Sequence, residues 1–193
     1  MKSIVDTLSV IKNAAAEFEK KAKKDTFIAL IGGHAVIYYG VERTTLDIDA
    51  CFYSLEEMPG RSFYLFLKEH LSKRFKLRFI EASKDPSDPL KHDIIIINDS
   101  NNEYPRIDIL VARYKWELEG LKIAETSKAL SFHVIPVPYL IMMKLQASGR
   151  KDDLDVIELL KIMSRGDIEV CKKLAKTIGK DRRFFALFKE SGK

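Results

Sequence analysis

Residues 31–49 read IGGHAVIYYGVERTTLDID, and the organisation of the chain follows from this stretch. The short apolar run Thr26–Ile31 enters it and predicts a strand that ends in a tight turn at Gly32-Gly33. His34–Tyr39 then reads as a short helix stopped by Gly40. Beyond it, Leu46–Tyr53 alternates in polarity: Ile48, Ala50 and Phe52 fall on one face of a strand, and Asp47, Asp49 and Cys51 on the other. Two carboxylates thus share one side of one strand.

Upstream, Ile4, Leu8, Ile11, Ala15 and Phe18 recur at intervals of three and four, so residues 3–23 predict an amphipathic helix. Downstream, Arg61–Arg74 has helical spacing. Leu77–Ile80 and Asp93–Ile97 predict strands separated by the turn-rich Ser83–Pro89. The turn cluster Asn98–Glu103 leads into Arg106–Ala112, which predicts a hairpin whose second strand turns Ile107, Ile109 and Val111 one way and Asp108 the other. After Pro138 the pattern turns helical, over Tyr139–Ser148, Asp152–Met163, Ile168–Ile178 and Arg182–Phe188. Strands irregularly interleaved with helices predict an α+β fold with a mixed sheet flanked by helices. With no internal repeat and no long linker, residues 1–193 are expected to form one domain, its core about 25–135 and a helical C-terminal part about 136–193.

Composition removes several classes. With 46% hydrophobic and 32% charged residues the chain builds a core, so disorder is excluded as its main state. The longest apolar runs, Phe27–Ile31, Ile94–Ile97 and Val137–Met143, fall far short of the roughly 18 residues of a membrane span. The first twenty residues carry Asp6, Lys12, Glu17 and Glu19 and lack the apolar centre of a signal peptide, so the expected compartment is the cytoplasm and no membrane partner is expected. Two cysteines make no disulfide framework, and no Cys/His spacing suggests zinc. A net charge of +5 admits a polyanionic partner without requiring one, and the Lys20–Lys24 run reads first as a solvated helix end.

Asp47 and Asp49 on one strand and Asp108 on another would bring three negative charges together, which raises their pKa values through mutual repulsion. A divalent cation removes that cost, and oxygen-only ligands favour Mg²⁺ or Mn²⁺. Such ions clamp the attacking and leaving oxygens of a phosphoryl displacement. The glycine pair lets backbone N–H groups approach phosphate. Neither a Walker A loop nor a G-x-G-x-x-G fingerprint is present. Each part also has a plainer reading: a solvated strand face for Asp47 and Asp49, a simple turn for the glycines.

The segment Ile31-Gly32-Gly33-His34-Ala35-Val36, followed by Gly40, Arg43, Thr45 and Asp47-Ile48-Asp49, resembles the signature of the nucleotidyltransferase superfamily typified by DNA polymerase beta. It looks closest to the small prokaryotic branch that includes the AbiEii-like abortive-infection toxins. Lys144-Leu145-Gln146-Ala147 with Arg150-Lys151-Asp152 and Asp155 is similar to that branch's second motif. The resemblance covers roughly residues 27–162. It implies a nucleotidyltransferase fold in which Asp47, Asp49 and Asp108 are catalytic and bind Mg²⁺ or Mn²⁺, and Asp108 also helps deprotonate the acceptor. Gly32, Gly33, His34, Arg43, Thr45 and Lys144 would contact an NTP such as ATP, and Lys151, Asp152 and Asp155 would belong to the second motif. Many relatives carry Ser where this chain has Gly33 or His34.

The implied reaction moves an NMP from an NTP to an acceptor hydroxyl. The resemblance favours an RNA 3′ end, tRNA especially, and a toxin role with an antitoxin partner. The alternatives are protein adenylylation and a non-catalytic module that binds nucleotide or a partner protein. Oligomeric state is not readable. Plainer readings stand beside several assignments: Lys144 as a solvated helix lysine, Asp152 and Asp155 as first-turn residues offsetting the helix dipole, His34 as a helix-start residue and Cys51 as a small buried thiol. Arg43 would pair with either the acidic cluster or a phosphate.

Overall fold

A computed structural model describes residues 2–84 and 91–193. The chain opens with helix α1 (Ile4–Ala22), started by Ser3, whose hydroxyl accepts the Asp6 N–H while the Asp6 carboxylate accepts the Ser3 N–H, 3.1 Å in each direction. Strand β1 (Thr26–Leu30) follows, then the short helix α2 (Gly32–Tyr38), strand β2 (Ile48–Ser54), helix α3 (Pro59–His70), strand β3 (Phe75–Ile80), strand β4 (Ile94–Asp99) and strand β5 (Ile107–Val111). Helix α4 (Lys115–Lys122) and two three-residue strands, β6 (Glu125–Ser127) and β7 (Phe132–Val134), precede the helices α5 (Val137–Ala147), α6 (Arg150–Ile162), α7 (Arg165–Thr177) and α8 (Asp181–Glu190).

The strands form one mixed sheet in the order β3-β4-β5-β2-β1-β7-β6. β1 pairs antiparallel with β2, β4 antiparallel with β3 and β5, and β6 antiparallel with β7. β2 with β5 and β1 with β7 are parallel. The fold is therefore α+β, a mixed seven-stranded sheet flanked by helices. The hairpin expected around Asn98–Glu103 is present as β4–β5. Of the turn-rich Ser83–Pro89, the stretch 85–89 lies outside the described residues.

One sheet face is closed by aromatic packing. Phe52 of β2 stacks on Phe63 of α3 at 4.0 Å between ring centres, and Phe18 of α1 meets Phe52, Phe63 and Phe66 edge-on. The side-chain alternation of a strand then turns Asp49 and Cys51 to the opposite face. Several features depart from the sequence reading, among them α3, which ends at His70 and not at Arg74. β2 begins at Ile48, so Asp47 sits on the bend just before the strand and is exposed. α2 begins at Gly32 rather than His34. Finally, α4, β6 and β7 carry no clear pattern: α4 is KWELEGLK, held through its buried Glu117, which accepts N–H groups from Arg113 and Tyr114 and pairs with His92 at 2.8 Å. No helix among the described residues is long and apolar enough to cross a membrane.

Candidate functional site

The parallel register of β2 and β5 sets Asp49 directly opposite Asp108. Neighbouring strands lie about 4.8 Å apart, so the two carboxylates leave the same face of the sheet side by side. Both are half-buried. The Asp49 carboxyl is pushed up to about 6, chiefly by burial, then by the charge of Asp108, with a smaller push from Asp47. Lys144 and a hydrogen bond from the Gly33 N–H act in the opposite direction.

The turn above this pair must be glycine. Gly32 has φ +63°, and a Cβ there would lie 2.0 Å from Oδ2 of Asp49. The Ile31 N–H donates to the Asp49 carbonyl at 2.9 Å, which ties the turn to β2. Gly33 is buried; a Cβ on it would meet the Thr45 side chain at 2.8 Å and the Arg43 guanidinium at 3.1 Å. Its small size therefore serves the approach of residues 43–45, and its N–H faces the Asp49 carboxylate.

Lys144 reaches the same place from α5. Asp49, Asp108, Gly32, Lys144 and Asp152 line one cleft of about 310 Å³, with Ile31, Ile94, Leu110, Leu140, Met143 and Ala147 as its apolar walls. The Lys144 ammonium is nearly buried and sits 2.9 Å from Asp152 and 2.8 Å from Asp155. Asp155, itself 6% exposed, also accepts from Arg43. The chain Arg43–Asp155–Lys144–Asp152 thus joins the segment before β2 to α5 and α6. In the unliganded protein Arg43 therefore pairs with Asp155 of the second motif and not with Asp47, Asp49 or Asp108, and Lys144 is nearly buried and paired instead of being a solvated lysine. Asp152 also accepts the Gly149 N–H at 3.3 Å at the start of α6, so it serves the helix end and the ion network together.

Other candidates lie outside the cleft. Asp47 does not line it, although its charge is felt by Asp49. Thr45 sits beneath Gly33. His34 is held below its ordinary pKa by burial and by Arg43, so its ring is neutral near pH 7. Lys151 is exposed and borders a shallow depression with Arg43, Thr44 and Leu154. Cys51 is fully buried, its thiol pushed up by burial.

Arg106 is a residue that the sequence reading missed. Its guanidinium grips Asp108 through two bonds of 2.7 Å, Nε to Oδ1 and a terminal nitrogen to Oδ2. That grip, with the charges of Asp47 and Asp49 nearby, raises the Arg106 pKa. The signal was the i, i+2 spacing of Arg106 and Asp108, which puts both on one strand face. Among the described residues no three His, Cys, Asp or Glu side chains are gathered as a metal-holding group. The Asp49/Asp108 pair nevertheless has the charge and the oxygen-only chemistry of a hard-cation site, with one member held by an arginine.

No family model matches the chain, and no curated protein matches it. Among solved structures it is similar to an antigenic nucleotidyltransferase-like protein from Paracoccidioides brasiliensis, at 15% identity over 95% of this chain and 93% of that one, with a TM-score of 0.49. It is also similar to a cytoplasmic RNA terminal U-transferase (12% identity, 82% of this chain, TM-score 0.41) and to the RNA terminal uridylyl transferase Cid1 (15%, 79%, 0.40). The chain spans 39% and 37% of the length of these two.

Two outcomes are expected. An Asp49 that titrates near 6 in the folded chain and near 4 when unfolded favours the fold less as pH rises through that window. Without divalent cations, Asp49→Asn should therefore be more stable than the parent by roughly 1–3 kcal/mol at pH 7.5 and equal to it below about pH 4. Urea unfolding across pH measures this, and a variant less stable at pH 7.5 would contradict it. Lys144→Met should lower stability by about 3–5 kcal/mol, because it strips a nearly buried cation from Asp152 and Asp155. A loss under about 1 kcal/mol would show that the network holds nothing together.

Proposed function

We propose that this chain is a metal-dependent nucleotidyltransferase of the DNA polymerase beta-like superfamily, which moves an NMP from an NTP to an acceptor hydroxyl. The observation that carries the reading is the cleft itself: Asp49 and Asp108 opposite one another, the Gly32 turn over them, and Lys144 on a second wall. Asp49 and Asp108 are the cleft residues that would hold Mg²⁺ or Mn²⁺, with Arg106 leaving Asp108 to make room and Asp47 turning in from the bend before β2 to join them. When bound, the cation would neutralise the phosphoryl oxygens and lower the pKa of the acceptor hydroxyl.

The residues of the chain supply the rest. The acceptor oxygen attacks the α-phosphorus and a new O–P bond forms. The bridging bond to the β-phosphate breaks, and pyrophosphate leaves with the electron pair. Asp108 takes the hydroxyl proton. Lys144, already poised among carboxylates, turns its ammonium to the triphosphate. The apolar walls at Leu140 and Met143 exclude water from the reacting atoms. The proposed acceptor is an RNA 3′ end, tRNA included, a choice supported by the sequence resemblance and the net positive charge. The same resemblance supports a toxin role opposed by an antitoxin.

A second reading has one specific observation behind it. With Asp108 held by Arg106 and no three-carboxylate group drawn together among the described residues, the chain would bind nucleotide without turning it over. One experiment separates the readings. The protein is incubated with each α-labelled NTP, Mg²⁺ or Mn²⁺, and total RNA. Labelled RNA with at least one NTP, abolished by Asp108→Asn, is the expected result. Label on protein instead would point to adenylylation of a protein hydroxyl. NTP binding with no transfer to any fraction would establish the non-catalytic reading.

A further inference from the structure

Charge is unevenly distributed along this chain. Residues 165–193 hold nine Lys or Arg against four Asp or Glu, an excess equal to the whole net charge of +5. This segment forms α7 and α8 and lies beyond the motifs that carry the nucleotidyltransferase reading.

The surface of α8 has an order of its own. Arg182, Phe185 and Lys189 fall at i, i+3 and i+7, so they form one stripe along the helix. All three are exposed, and the Phe185 ring is 48% exposed, while Phe184 and Leu187 turn the other side of the helix into the core. Among the described residues neither Arg182 nor Lys189 forms an ion pair, whereas the basic neighbours Lys161, Lys172 and Arg183 each do. A cation, an exposed aromatic ring and a second cation follow one another over about 10 Å at 1.5 Å per residue.

The helix that carries the stripe is tied to the elements that wall the cleft. Arg183, next to Arg182, binds Asp153 at 2.7 Å and reaches the Ser148 carbonyl at 3.4 Å. Asp153 follows Asp152 and Ser148 follows Ala147, and both of those residues line the cleft. The first turn of α8 is thereby tied to the residues that directly follow two of the cleft's lining residues.

We propose that this stripe is the track on which a single-stranded RNA segment lies as its 3′ end enters the cleft, Arg182 and Lys189 meeting phosphates and Phe185 stacking on an unpaired base. The inference rests on the nucleotidyltransferase reading for its direction, from track to cleft. Alternating cation and ring suits a single strand, whose bases are free to stack while its phosphates stay accessible. A duplex would leave the ring idle. A membrane surface is disfavoured because the apolar side of α8 is packed inward and only one large apolar side chain stands among the charges. An acidic polypeptide would use the cations but gain little from the ring.

The test is fluorescence anisotropy with a labelled single-stranded RNA of about twelve nucleotides, in varied salt. Phe185→Ala should weaken binding about five- to a hundredfold, and Phe185→Tyr should restore it. The double variant Arg182→Ala, Lys189→Ala should reduce the slope of log affinity against log salt by roughly 1.4, about 0.7 for each phosphate no longer neutralised. NTP binding, measured by calorimetry, should be unchanged in all three. Unaltered RNA affinity and salt slope in these folded variants would overturn the proposal, as would equal binding of duplex RNA or equal displacement by poly-glutamate. Loss of NTP binding in the parent protein would instead strike at the nucleotidyltransferase reading, so the two failures are distinguishable.

Discussion

Asp49 and Asp108 face one another because β2 and β5 run parallel and in register, and most of the surrounding structure answers the electrostatic cost of that pairing. Burial and repulsion push Asp49 up to about 6, while Lys144 and the Gly33 N–H pull the other way. Asp108 has its own counter-charge in Arg106. Gly32 is confined to glycine twice over, by its positive φ and by an Asp49 oxygen where a Cβ would stand. A protein needing only stability would bury apolar residues at these strand positions, as it does one residue away at Ile48 and Ile107. The two adjacent carboxylates kept there instead are what make this cleft the candidate site.

The second half of the site is joined to the first by charge rather than by backbone. Asp155 accepts from both Arg43 and Lys144, and Lys144 also holds Asp152, so α5 and α6 are linked to the segment that leads into β2. In the unliganded chain the Lys144 ammonium is thus oriented among carboxylates at the cleft wall. A triphosphate arriving there would meet a cation already desolvated and positioned, which reduces the ordering cost of binding. Arg106 plays a comparable part for Asp108, supplying the positive charge that faces its carboxylate.

Much of this arrangement is legible in the residues themselves. The alternation in LDIDACFY puts Asp49 opposite Phe52 across the sheet, and the same rule places Asp108 opposite Ile107 and Ile109. The helices of the C-terminal part show in their periodicity to within a few residues. What periodicity does not carry is pairing. Which strand lies beside β2, and in which register, is set by contacts between residues almost sixty positions apart, and only there does Asp49 meet Asp108. Arg106 was visible at i, i+2 from Asp108, yet its choice of partner depends on the crowd of negative charge around it. Likewise α4 is only eight residues long and buries Glu117, through its hydrogen bonds, beside Trp116 and Leu121, so its inward face shows no apolar period, and β6 and β7 are too short for any period to show.

The central claim is that the Asp49/Asp108 cleft takes a divalent cation together with a nucleotide. The most direct measurement is a crystal structure of the protein soaked with Mn²⁺ and a non-hydrolysable NTP analogue, with data collected at the manganese absorption edge. The account predicts an anomalous peak within about 2.2 Å of carboxylate oxygens from both Asp49 and Asp108, with Arg106 moved off Asp108 and Lys144 turned to the triphosphate. An Asp108 still gripped by Arg106 at saturating Mn²⁺ and analogue, with no peak in the cleft, would contradict it.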